Sequence, residues 1–145
     1  MKGKLSWAVF WALVGVFIVI VSVFFIPVFG DLLRGSLLFL TPFAVFFLLG
    51  IALIVLTVKE KVGGRLKKFL LLTGASSAGF FLFVLLHNVF YGLGIMTSHI
   101  TILSRSMDVL NVAFFIIAIV VCPIAFLVGV VGSIVLAIKK PRMAK

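Results

Sequence analysis

Six residues carry most of the chemistry this chain could do within or beside its apolar runs: His87, Asn88, Tyr91, His99, Asp108 and Asn111. Imidazole, amide, phenol and carboxylate groups near one another can hold a ligand by hydrogen bonds, and His87, His99 and Asp108 are of metal-ligand type. The spacing matches no metal motif. A bis-histidine haem would need both imidazoles facing inward, yet His99 falls between apolar runs, so no cofactor or metal is expected. HExxH is absent, as is a Ser–Lys or Ser–His–Asp set. The three acidic residues, Asp31, Glu60 and Asp108, all lie in flanks or loops, and no Lys or Arg lies in the middle of an apolar run. Proton relays, cation-coupled carriers and intramembrane proteases need ionisable groups there. The chain therefore reads as non-enzymatic, with these six residues as the candidate for a polar site at one face.

The elements that must position them are long apolar runs. Of 145 residues, 65% are hydrophobic and 11% charged. A soluble domain holds about 25% charged residues, and one small core cannot hide this much apolar surface. Four runs are long enough for a hydrocarbon layer of about 30 Å: residues 5–29, 36–58, 69–93 and 109–138. The expectation is an all-α membrane protein, one domain over residues 1–145, with four transmembrane helices packed as a compact bundle. The first run starts after Lys2 and Lys4, but it exceeds a signal-peptide h-region and no A-x-A-like site follows. Trp7, Trp11 and Tyr91 sit near run ends, as interfacial anchors do.

The net charge of +10 is gathered in the flanks. Eleven of the thirteen Lys and Arg residues lie at the N-terminus, between runs two and three (KEKVGGRLKK) and at the C-terminus (KKPRMAK). Only Arg34 and Arg105 lie on the other side. The positive-inside rule then places both termini in the cytoplasm, with anionic lipid as the partner of the basic clusters. This distribution argues against nucleic-acid binding. Cys122 stands alone inside run four, so an intrachain disulfide is excluded.

Within the runs, small residues mark expected packing seams, because close approach holds helices together in lipid. On a helical wheel run four aligns Asn111, Ala118, Cys122, Ala125, Gly129 and Ser133. Run one aligns Ala8, Ala12, Gly15 and Ser22, and run three aligns Gly74, Ser77 and Ala78, with Asn88 further along the same face. Run two is rich in Phe, which could fill its neighbours' grooves. Asn88 is thus expected to bond across to another helix, with Asn111 as its partner. His87 is expected about 100° away, beside Tyr91 at the outer face, with His99 or Asp108 closing over it. Pro123 predicts a kink in run four. Ile100, Leu103 and Met107 recur at helical spacing, so residues 95–108 form either a short interfacial helix or an ordinary loop.

The segments KKFLLLTGASSAGFFLFVLLHNVFYGLG and VCPIAFLVGVVGSIVLAIKK resemble a group of small uncharacterised prokaryotic four-helix integral membrane proteins. That resemblance implies a prokaryotic cytoplasmic membrane and assigns no residue a role. The expected function is that of a non-catalytic bundle assembling with itself or with a larger membrane complex. The alternative is a small oligomeric transporter or channel for a neutral, apolar or lipidic molecule.

Overall fold

The computed structural model describes residues 4–26 and 40–139. Among these the chain is helical, with no strand. The helices are α1 (Lys4–Phe25), α2 (Thr41–Lys59), α3 (Gly64–Met96), α4 (Thr101–Ile116) and α5 (Cys122–Lys139). A π-helical turn, Ile117–Val121, joins α4 to α5, so Thr101–Lys139 runs as one rod. Four helical segments, α1, α2, α3 and this rod, are long and apolar enough to cross a membrane. A chain entering lipid must satisfy every backbone N–H and C=O internally, and such sequences do so as helices.

The segments alternate in direction. Glu60, just after α2, bonds Ser6 in the first turn of α1. Gly132, late in α5, packs on the ring of Phe69, early in α3. Lys4, the Lys59–Lys68 region and Lys139 therefore gather at one end, here the basic end. At the far end the turn Thr97–Ile100 reverses the chain, and Asp108 of α4 lies against Gly94 of α3.

Phe10, Leu13, Phe46, Leu53, Leu70, Phe126 and Val130 form the centre of the core. Phe126 of α5 packs on Phe17 of α1 at 4.6 Å and on Phe46 of α2 at 5.2 Å between ring centroids. Val130, one turn beyond Phe126, shares that stripe and is buried. α5 thus buries a wider face than its small residues mark.

Two crossings depend on glycine. A Cβ at Gly50 of α2 would lie 2.8 Å from the Gly74 carbonyl oxygen of α3, and a Cβ at Gly74 would lie 2.8 Å from the Gly50 carbonyl oxygen. A Cβ at Gly129 of α5 would lie 2.5 Å from Thr73 Oγ1 and 2.9 Å from Thr73 N. The seams of runs three and four are thus interfaces. The seam of run one is not: Ala8, Ala12 and Gly15 are exposed, and α1 buries Ser6, Phe10, Leu13, Ile20 and Val23 instead. Large side chains met a Phe-rich neighbour there, and the small-residue face was left outward.

Helix ends also differ from expectation. α3 and the rod both begin earlier, at Gly64 and Thr101, and α3 ends later, at Met96. Residues 101–108 continue into the fourth span, so they are neither an interfacial helix nor a loop. α1 ends at Phe25, and residues 27–29 and 36–39 of the expected runs lie outside the described residues. At 33 residues, α3 is about 50 Å long, well beyond the hydrocarbon thickness. The break expected at Pro123 takes the form of the π-helical turn just before it. Proline lacks the N–H that would bond the Ile119 carbonyl, and a π-type i→i+5 pattern is one way a helix absorbs that loss.

Candidate functional site

α3 and the α4–α5 rod bring together only two of the six sequence candidates. His87 is half-buried, with Nδ1 3.2 Å from the main-chain carbonyl oxygen of Asn111 and its ring 5.1 Å from that of Phe115. Asn88 is exposed, and its Nδ2 donates to the Val84 carbonyl of its own helix at 2.8 Å. Tyr91, His99 and Asp108 are exposed as well. The expected Asn88–Asn111 pair does not form, and no Tyr91–His99–Asp108 enclosure is built around His87.

The roles expected of His87 and Asn88 are exchanged for a physical reason. The Gly74–Ser77 face of α3, which Asn88 continues, meets α2: Ser77 Oγ donates to the Phe46 carbonyl at 2.5 Å. α2 runs antiparallel, starting at Thr41, and Asn88 lies three turns further along α3 than Ser77. The described part of α2 ends before that level, and the amide satisfies itself on its own helix. The next face, 100° round, meets α4 throughout: Phe83 and Phe90 both pack on Phe114, at 5.9 and 5.3 Å. His87 sits between those two rows of rings.

Where α2, α3 and the rod converge near the far end, they border a half-open pocket of about 200 Å³. Phe43, Phe80, Phe81, His87, Phe115 and Ala118 are among its walls. The small side chain of Ala118 lies in the π-helical turn, so the turn itself helps leave this space. A second void of about 20 Å³ beside Cys122 and Pro123 holds no more than a water-sized group. Among the described residues, no three His, Cys, Asp or Glu side chains gather as a metal site would require. Chemically, the larger pocket presents an apolar, largely aromatic surface, with His87 Nδ1 already committed to the Asn111 carbonyl.

Two polar features escaped the sequence reading. Glu60 reads as a loop carboxylate, yet its two oxygens accept from the Leu5 and Ser6 backbone N–H groups at 3.3 and 3.0 Å, and Ser6 Oγ also donates to it. It caps the first turn of α1 from another helix. The Ser6 hydroxyl and then the Ser6 amide hold its carboxyl below the usual carboxylate range, against a smaller opposing effect of burial. A Ser at the third residue of α1 is a weak cue for this, since the partner lies 54 positions away. Thr57 Oγ1, Ser133 Oγ and Asn111 Oδ1 are buried with no bond among the described residues.

No protein-family model matches this chain, and no curated protein or solved structure matches it.

Proposed function

We propose that this chain is a non-catalytic integral protein of a prokaryotic cytoplasmic membrane, a four-helix bundle that assembles in the bilayer with a second copy or a larger partner. The observation that carries this reading is the outward seam of α1. Ala8, Ala12 and Gly15 form a small-residue face of the kind membrane helices use for close contact, and among the described residues no atom beyond Gly15's own helical backbone lies within 4 Å of a Cβ built there. Trp11 stands beside it, 54% exposed. The basic end lies in the cytoplasm in this reading, against anionic headgroups.

Gly15→Cys in a Cys122→Ser background tests it. Oxidation in native membranes should give a dimer, or a heavier adduct if the partner is another protein with a thiol. Monomer alone at every oxidant level, with the protein folded, would remove the seam as an interface. Orientation is tested separately: a single cysteine at Arg105 should react with an impermeant thiol reagent from outside, and one at Lys61 only after the membrane is opened.

A second reading, a small oligomeric transporter or channel for a neutral, apolar or lipidic molecule, is supported by the far-end pocket and the π-helical turn at its wall. Bulging helices of this kind often mark functional sites.

A further inference from the structure

The far part of α3 and all of α4 form a hairpin that is held mainly to itself. Beyond Phe81, the side-chain hydrogen bonds and ring contacts that join α3 to another described helix all go to α4. Phe83 and Phe90 pack on Phe114, His87 meets the Asn111 carbonyl and Phe115, and Ser104 Oγ donates to the Gly94 carbonyl at 3.5 Å. No residue of α4 is buried, and beyond Ser77 only Gly94 of α3 is. Nearer the basic end the same two chains are locked: Gly74 meets Gly50, and Gly129 and Gly132 meet Thr73 and Phe69. A segment with few buried side chains departs from its place at lower free energy than one wedged into a core.

Both helices are weakened at the level where this hairpin begins. In the rod, the π-helical turn Ile117–Val121 is followed by Pro123, which lacks a backbone donor. In α3, Thr73 Oγ1 and Ser76 Oγ donate to carbonyls one turn back, at 2.9 and 2.5 Å, a pattern that bends helices, and Gly79 follows them. The two weak points are neighbours, since a Cβ at Gly79 would lie 3.6 Å from Cys122 Sγ.

A helix break inside a close-packed core is a fixed kink, because movement needs free volume. Here space lies on both sides. A void of about 20 Å³ touches Ser76, Phe80, Cys122 and Pro123. The half-open pocket has Phe43 of α2 on one wall and Val84 of α3 and Phe115 of α4 on the other.

We propose that residues 82–96 and 101–116 rock as one body on a hinge made of Gly79 and the π-helical turn with Pro123. Tilting toward α2 narrows the half-open pocket, and tilting away widens it. Met96 lies about 25 Å along α3 from Gly79, so a tilt of about 10° carries the tip about 4 Å. None of the hinge residues lies on α1, so the device stands or fails apart from the assembly reading.

Electron-spin distance measurements on the full chain in lipid nanodiscs, in a Cys122→Ser background, test it. Nitroxides are attached to pairs of exposed positions changed to cysteine. Val55 with Ile102 spans the hinge, Leu85 with Ile102 lies within the hairpin, and Leu48 with Ile138 lies within the locked half. The first distance distribution should be broader than the other two by about 4 Å, the tip movement expected of the hinge. Gly79→Ala combined with Pro123→Ala should narrow it to the width of the other pairs, because the Gly79 Cβ fits in ordinary contact and alanine restores the missing backbone donor. The proposal is overturned if the hinge-spanning pair is no broader than the others, if the Leu85–Ile102 pair is as broad, or if the double variant keeps the full width. Should the double variant not fold, the three widths in the otherwise unaltered chain still decide.

Discussion

The basic half of the bundle and the far half are packed in different ways. Toward the basic end, glycines and hydroxyls face one another: Gly50 against Gly74, Gly129 against Thr73, Ser77 on the Phe46 carbonyl. Toward the far end, rings face rings: Phe43 on Phe80, Phe83 and Phe90 on Phe114, His87 on Phe115. Lipid gives little hydrophobic drive for helices to associate, so stability comes from close contact. Backbones that touch achieve this without gaps. Where aromatic side chains line the contact and a small residue such as Ala118 interrupts them, a half-open pocket remains. Backbone-to-backbone contact thus marks the glycine crossings, and open space lies beside the rings.

The strongest way to break that contrast is to widen a glycine crossing. Gly129→Ile places branched atoms where Thr73 N and Oγ1 already stand, and overpacking of this kind costs about 1–3 kcal/mol or more. Gly92→Ile at the far end, with nothing within 4 Å of its Cβ position, should change the thermal midpoint in detergent little. Equal losses for both variants would mean that the two halves do not differ.

A smaller effect should come from the hydroxyls. Ser77→Ala removes the bond to the Phe46 carbonyl, worth about 0.6–1 kcal/mol in a membrane bundle. Ser133→Ala removes a buried hydroxyl that has no bond among the described residues, so it should be neutral or stabilising. If the two variants lose equal stability in the same thermal assay, Ser133 has a partner in the folded protein and the accounting is wrong.

Glu60 sharpens the comparison through pH. Its carboxyl is held below its ordinary value in the folded state, so its contribution is fully present above the unfolded-state value of about 4.5 and fades as pH falls below it. Glu60→Gln should lower the thermal midpoint at pH 7, and the gap from wild type should narrow as pH falls below the ordinary Glu value of about 4.5. A gap that stays constant across that range would show that the charge is not what caps α1.

The smallest effect belongs to Asn88. It bonds only its own helix and is exposed, so Asn88→Leu should leave the midpoint within about 0.5 kcal/mol of wild type, the range of surface substitutions. A loss as large as that of Ser77→Ala would restore Asn88 to an interface.

Much of this architecture was legible in the chain. Four apolar runs became four long helical segments, because length and composition alone decide whether a backbone can be satisfied in lipid. The Gly129–Ser133 seam was legible because small residues at helical spacing on a helix buried on that side have one use. The α1 seam shows the limit of the same rule. A wheel states which residues share a face; it does not state which face a neighbour will cover.

By itself, then, the sequence determined the number of spans, the side on which positive charge gathers, and the absence of ionisable groups in the middle of any run. These depend on local composition, which each segment carries whatever it packs against. Only the tertiary structure decided that His87 turns to Asn111 and Phe115 while Asn88 turns outward, that Glu60 caps α1, and that a half-open pocket lies at the π-helical turn. Each of those depends on where a second helix starts, ends and crosses. A difference of 100° between adjacent residues is enough to exchange interior for exterior when the covering helix lies on one side only.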